Sequence, residues 1–279
     1  MIRAFAPMLA VLAASTSAAF SQSPVERGSY LVNSLMTCHN CHTPIGPNGP
    51  QFDRAFSGGL HFSDAAFEVT AANITPDPET GIGKWSADDI KKTLLTGVRP
   101  NGAPLAPAMP TAFYKVLTAR DIDGIAAYLK SVKPIENKVA APVYKVAMAR
   151  EDVPGASQQM SEADFGDKVK HGFYLATIAH CMECHTPETG GRHDFSLLGK
   201  GGREFKGPWG VSVSRNLTSS KTAGLGGWSD AEIKRAITHG LDKDGSKLKP
   251  PMGFGFYAKM TDGDLDDVVA WLRTLPPKE

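Results

Sequence analysis

The chain has 279 residues, which is enough for two domains that each bury a core of their own. Its 30 lysines and arginines nearly balance its 29 aspartates and glutamates. This balance gives no sign of nucleic-acid binding, and we expect no strong electrostatic attraction to a highly charged partner.

Residues 1–23 have the pattern of a secretory signal peptide. Arg3 precedes an apolar run from Ala4 to Ala14, small residues follow, and cleavage is expected between Ala19 and Ser23. The alternative is an uncleaved membrane anchor, although the run is short for a membrane-spanning helix. No later stretch is long and apolar enough to span a membrane. We therefore expect an exported mature chain without a transmembrane segment.

Residues 24–134 contain three predicted helices and one cysteine motif. The motif is Cys38-His39-Asn40-Cys41-His42, directly after the first helix. Capping boxes and a stop at glycine or proline bound the later helices. A stretch near Phe67 is expected to form either a small hairpin or an ordered loop. The predicted helices are Val25 to Thr37, Ser86 to Gly97 and Thr118 to Val132.

Residues 164–279 repeat this pattern. The second motif, Cys181-Met182-Glu183-Cys184-His185, begins 143 positions after the first (181 − 38 = 143). At that offset about a third of the positions are identical up to Pro134, which indicates a duplication. Upstream of the motifs, equivalent residues of the two copies lie 144 positions apart. Residues 135–163 lack clear periodicity and are interpreted as a linker between two domains.

Each Cys-x-x-Cys-His motif predicts covalent attachment of a haem c, with the histidine as the proximal iron ligand. The predicted attachment residues are Cys38, Cys41, Cys181 and Cys184, and the predicted iron ligands include His42 and His185. Zinc binding, disulfides and a thioredoxin-like dithiol are the alternatives. None of them needs a histidine after both pairs, so we expect two covalently bound haem c groups.

Met109 and Met252 are the candidates for the sixth iron ligands. Among the histidines and methionines outside the motifs, only these two correspond at the 143-residue offset, and a proline precedes each loop. The alternative is that each is ordinary core packing.

Other repeated residues have less specific interpretations. Trp85 and Trp228 are predicted either to form walls around the haem groups or to act as hydrophobic staples before the caps of their helices. Asn73 and Asn216 either form turns or bind a propionate. Tyr30 and Tyr174 are expected to pack where the first and third helices cross.

The order of these motifs resembles the class I cytochrome c domains in the electron-transfer subunits of periplasmic alcohol, aldehyde and gluconate dehydrogenases. The sequences that carry the resemblance are the Cys-x-x-Cys-His-Thr-Pro motifs, residues 73–86, residues 97–102 and residues 107–110. The resemblance implies an all-α fold with two tandem class I cytochrome c domains joined by a linker. It also implies a periplasmic location, a dehydrogenase as electron donor, and a cytochrome, an oxidase or a quinone-linked complex as acceptor. Those subunits carry three such domains, whereas the motif occurs twice here.

An electron carrier and a redox enzyme are the two functional hypotheses. Histidine and methionine together fill both axial positions of an iron, which favours a carrier of single electrons. The alternative is a dihaem enzyme of the peroxidase type or one that oxidises a small molecule, which needs an iron that can open. No cluster of acid and base residues is repeated near the motifs, so no catalytic residue is predicted.

Overall fold

The computed structural model describes residues 22–147 and 150–279, and two similar series of helices follow one another within them. The predicted signal peptide lies almost wholly outside these residues. A π-helical turn, Leu31–Leu35, extends the first helix up to the first motif. The helices are α1 Pro24–Tyr30, α2 His39–His42, α3 Ala87–Thr96, α4 Ala119–Ser131, α5 Lys168–Ile178, α6 Cys181–Cys184, α7 Asp230–His239, α8 Phe254–Tyr257 and α9 Asp262–Leu272.

Local sequence determines where α3 and α7 begin and end. Ser86 and Ser229 accept a hydrogen bond from the third amide of their helices, and an acidic side chain returns the bond. Each helix ends at a glycine in the left-handed region, Gly97 with φ 60° and Gly240 with φ 64°. These boundaries agree with those predicted. In contrast, α5, which the repeat predicts from about Ala163 to His180, begins later, at Lys168, because the Asp167 side chain accepts from the amides of Val169 and Lys170.

The prediction of an all-α fold is correct for the main elements and incomplete for the connections. Four small antiparallel sheets lie within the described residues. In three of them the chain folds back at a turn that contains glycine. The turn before Phe67 is instead held by Asp64, whose side chain accepts from the amides of Ala66 and Phe67, and here the hairpin alternative is the one observed. The strands are β1 Ile45–Gly46, β2 Gly49–Pro50, β3 His61–Ser63, β4 Phe67–Thr70, β5 Val143–Tyr144, β6 Glu188–Thr189, β7 Arg192–His193, β8 Glu204–Gly207 and β9 Gly210–Val213.

The first and last helix of each series cross at a glycine. A Cβ atom on Gly28 of α1 would lie 1.9 Å from the carbonyl oxygen of Gly124 in α4. A Cβ atom on Gly172 of α5 would lie 1.8 Å from the carbonyl oxygen of Asp267 in α9. Because a backbone carbonyl cannot move aside cheaply, only glycine fits at either crossing.

The two series also contact each other through a reciprocal pair of tyrosines. The Tyr30 hydroxyl donates to Asp264 at 2.6 Å and accepts from the Thr261 amide at 3.1 Å. The Tyr174 hydroxyl donates to Asp121 at 2.6 Å and accepts from the Thr118 amide at 3.4 Å. Each hydroxyl therefore binds the first turn of the last helix in the other series, a contact that the sequence did not predict.

The segment interpreted as a linker makes ordered contacts with both series. Its strand β5 pairs with β4, and Val153 and Ala156 are buried. Glu151 accepts from the His193 amide at 2.7 Å. Within the described part of the chain, no helix is long and apolar enough to cross a membrane.

Candidate functional site

One large cavity, of about 2290 Å³, is shared by the two series. This exceeds the ~300–1,000 Å³ of a typical pocket for one small molecule, and the lining is mostly apolar. All eight residues predicted to hold haem line it. They are Cys38, Cys41, His42, Met109, Cys181, Cys184, His185 and Met252.

The two motif histidines are oriented by equivalent hydrogen bonds. His42 Nδ1 lies 2.7 Å from the carbonyl oxygen of Ala72, and His185 Nδ1 lies 2.6 Å from that of Arg215. A carbonyl can only accept, so Nδ1 carries the proton and Nε2 keeps a free lone pair. Burial lowers the pKa of both imidazoles, which favours the neutral form that binds a metal ion.

The residue before the first cysteine of each motif has the same unusual backbone conformation. Thr37 has φ 45° and His180 has φ 44°, in the left-handed region that residues other than glycine rarely adopt. Each conformation turns the chain out of the preceding helix and into α2 or α6. The duplication has therefore kept this turn as well as the motif.

The four cysteines are free thiols on the cavity wall. Burial raises the pKa of each thiol to about 12. A closed zinc site needs thiolates held together, and the described residues contain no group of three or more histidine, cysteine or acidic side chains arranged to hold a metal ion.

The two methionine loops share one backbone hydrogen bond. Each methionine is half-buried against the core, and its carbonyl accepts a hydrogen bond from the amide two residues later. These bonds are 2.7 Å from Thr111 to Met109 and 3.1 Å from Phe254 to Met252. The loops thus bring a thioether to the same cavity that the motif histidines line.

The residues present fit a covalently bound haem. Each half offers two thiols, an imidazole with a free Nε2 and a thioether on the wall of one apolar cavity. Two buried polar atoms on this wall, Thr93 Oγ1 and Trp209 Nε1, have no hydrogen-bond partner in the part of the chain that the structure describes. A bound group with polar substituents supplies partners for such atoms.

The structure also shows where the repeated tryptophans and asparagines lie. Trp85 and Trp228 line the cavity. Asn73 and Asn216 form turns: each Oδ1 accepts from the amide two residues later, and each Nδ2 donates to the carbonyl of Ile135 or Lys278. Sequence reasoning missed the carbonyls of Ala72 and Arg215, because a backbone acceptor leaves no mark in the residue type.

Comparison with known proteins agrees with this site. Residues 169–276 match the cytochrome c family model. The chain is 27% identical to the cytochrome c subunit of the quinone alcohol dehydrogenase of Gluconobacter oxydans (strain 621H), over 97% of this chain and 59% of that subunit.

Two further relatives cover most of the chain. The fructose dehydrogenase cytochrome subunit of Gluconobacter japonicus is 29% identical, over 94% of this chain and 55% of that subunit. A diheme cytochrome c-type protein of Cereibacter sphaeroides is 26% identical, over 87% of this chain and 83% of that protein. The chain spans less than two thirds of the length of the two dehydrogenase subunits. It therefore carries a cytochrome c domain over residues 169–276 and resembles, along nearly its whole length, the cytochrome c subunits of dehydrogenases.

Proposed function

We propose that this chain is a dihaem cytochrome c that carries single electrons. The observation that supports it most directly is the equivalence of the His42–Ala72 and His185–Arg215 hydrogen bonds. Both halves hold a motif imidazole in the same tautomer at the wall of one cavity. The simplest reason for this hydrogen bond to be kept in both copies of the duplication is that both halves are functional.

Each half supplies the residues for one haem. Cys38 and Cys41 would attach the first group, and His42 and Met109 would bind its iron. In the second half Cys181 and Cys184 would attach the group, and His185 and Met252 would bind its iron. Haem c would supply one-electron chemistry, and the chain's part would be to hold the iron from both the imidazole and the thioether and to exclude water.

The proposal includes a location and partners. The domains are residues 24–134 and 164–279, joined by 135–163, and residues 1–23 direct export to the periplasm. The electron donor is a periplasmic dehydrogenase, because the relatives include cytochrome subunits of alcohol and fructose dehydrogenases. The acceptor is a cytochrome, an oxidase or a quinone-linked complex.

Haem counting and methionine replacement test the proposal together. The purified protein is expected to carry two haems that acid–acetone does not extract. Replacing both cysteines of either motif with alanine should leave one haem per chain. Met109→Ala and Met252→Ala should each remove about half of the far-red band of ferric His/Met haem, because each takes one thioether from one of two irons.

The same measurements can also contradict the proposed function. One haem per chain in the wild type would leave the second motif without its proposed role. Carbon monoxide binding by the wild type, accompanied by turnover of hydrogen peroxide, would favour the redox enzyme instead.

A further inference from the structure

The attachment motif of the first half touches the methionine loop of the second. Gly253 follows Met252 directly and packs against Thr37 and Asn40. A Cβ atom at Gly253 would lie 3.1 Å from Thr37 Cγ2 and 3.2 Å from Asn40 Nδ2. The two haem sites proposed above therefore share a contact surface made of their own binding residues.

His39, inside the first motif, is held rigidly at this surface. Its ring is buried and stacks on Phe56 with centroids 4.0 Å apart. Nδ1 lies 2.7 Å from Thr43 Oγ1, and Nε2 lies 2.7 Å from Asn33 Oδ1. Two hydrogen bonds and one stacked ring fix both the position and the rotation of the imidazole.

His39 also stacks on an aromatic ring from the second half. The centroids of His39 and Phe256 are 5.6 Å apart, and the two planes are within 7° of parallel. The Lys259 ammonium lies 5.5 Å from the Phe256 centroid. Phe256 is thus fixed between a ring of the first motif and a cation of its own half.

Phe256 is tied to Met252 through a short stretch of backbone. The Phe254 amide donates to the Met252 carbonyl at 3.1 Å. The Phe256 and Tyr257 amides donate to the Gly253 carbonyl at 2.9 and 3.1 Å. Because these bonds join α8 to the methionine loop, a displacement of Phe256 is passed to Met252.

We propose that His39 is a positioning residue for Met252, so that the first motif controls the axial ligation of the second haem. This inference rests on the proposed function. A thioether is a weak ligand, and its bond to iron depends on how closely the loop presents the sulfur. Stacking of Phe256 on His39 holds the loop at that position.

The proposed influence runs only from the first motif to the second haem. The residue equivalent to His39 in the second motif is Met182, and the residue equivalent to Phe256 is Phe113. Phe113 meets His193 edge-on, with centroids 6.3 Å apart and planes at 84°. Beside the second motif, His180 meets Tyr114 edge-on, with centroids 6.4 Å apart and planes at 73°. Among the described residues no ring of the Met109 loop stacks on the second motif itself, so Met182 serves as a matched control.

The test is made in a Met109→Ala background, where the far-red band comes from the second haem alone. His39→Gln, which removes the ring, should abolish most of this band, lower the potential of the second haem and admit carbon monoxide to it. His39→Phe, which keeps a ring for stacking, should retain the band. Phe256→Leu removes the stacking partner in the second half and leaves every residue of the first motif unchanged. It should have the same effect as His39→Gln.

Controls separate this inference from the proposed function. Haem is counted in every variant, and Met182→Gln in a Met252→Ala background should leave the band of the first haem unchanged. If two haems are bound and both His39→Gln and Phe256→Leu leave the second haem's band and potential unaltered, the inference is wrong while the proposed function stands. If the wild type binds fewer than two haems, the proposed function itself fails.

Discussion

The two tyrosine contacts between the halves have the same geometry and different surroundings. Tyr174 and Asp121 are almost completely buried, at 0% and 1% exposure, and Arg27 binds both carboxylate oxygens at 2.8 Å. Tyr30 and Asp264 are half-buried. Arg27 forms its ion pair with Asp121 rather than with Asp264, but its guanidinium also lies 5.5 Å from the centroid of the Tyr30 ring, and its charge acts on Asp264 from a greater distance.

The difference shows how a duplicated interface can specialise. A buried carboxylate needs a partner that offsets the cost of leaving water, and the guanidinium of Arg27 is that partner. For Asp264, partial exposure to solvent and the more distant charge of Arg27 offset this cost. The position equivalent to Arg27 is His171, which instead lies 2.8 Å from Asp267. The hydroxyl–carboxylate pair has therefore stayed while the charge around it changed.

Among the substitutions considered, disruption of the buried Tyr174–Asp121 contact should reduce the free energy of unfolding most. Arg27→Met leaves the Asp121 carboxylate buried without a cation, and we expect a loss of about 3–5 kcal/mol in the free energy of unfolding. The matched change, Asp264→Asn, should cost less than about 1 kcal/mol because that carboxylate is partly hydrated. Urea denaturation followed by circular dichroism measures both. Equal losses would show that the two contacts do not differ as their burial indicates.

A second difference between the halves should appear as a dependence on pH. Burial lowers the pKa of His39 to about 4, and Met182 at the equivalent position cannot titrate. The unfolded chain therefore binds one more proton than the folded chain between about pH 6.5 and pH 4.

Stability should consequently fall as the pH decreases through this range, by up to about 3 kcal/mol from this group. His39→Phe should flatten the slope, whereas Met182→Leu should not change it. Urea midpoints at pH 7, 5.5 and 4.5 provide the measurement. An unchanged slope in His39→Phe would mean that other groups cause the acid sensitivity.

The helix crossings should behave alike in the two halves. Gly28→Ala and Gly172→Ala each force a methyl group against a carbonyl oxygen, and we expect about 1–3 kcal/mol of destabilisation from each. Gly263→Ala is the control, because nothing lies within 4 Å of its added Cβ atom. Gly263 lies in the first turn of α9, so alanine there should stabilise by no more than about 0.5 kcal/mol. A harmless Gly28→Ala would mean that α1 and α4 can separate without loss.

Much of the local structure was predictable because it depends on neighbouring residues. Serine and an acidic residue three positions later start α3 and α7, and Gly97 and Gly240 end them. The motif residues and Met109 were found because the duplication repeats them at one offset. Their presence on one cavity wall agrees with that reasoning.

The contacts between the halves were not predictable from the same information. The pairs Tyr30–Asp264 and His39–Phe256 are separated by more than 200 residues, and nothing in the local sequence indicates which faces meet. Tyr30 was expected only at a helix crossing within its own half. Carbonyl acceptors such as those of Ala72 and Arg215 are equally hidden, because every residue has one.

The capping serines give the smallest and most symmetrical comparison. Ser86 Oγ accepts from the Asp89 amide at 3.0 Å, and Ser229 Oγ accepts from the Glu232 amide at 3.3 Å. Alanine at either position leaves one amide without its side-chain acceptor, and we expect about 1 kcal/mol of destabilisation from each. Ser86→Ala and Ser229→Ala should therefore agree within about 0.5 kcal/mol in urea denaturation, and the double variant should show their sum, because the two caps lie in different halves and share no partner. Ser86→Asp and Ser229→Asp, which keep an acceptor, should restore most of the loss. A cost at one serine and none at the other would show that the two halves do not use their caps equally, despite the same sequence pattern.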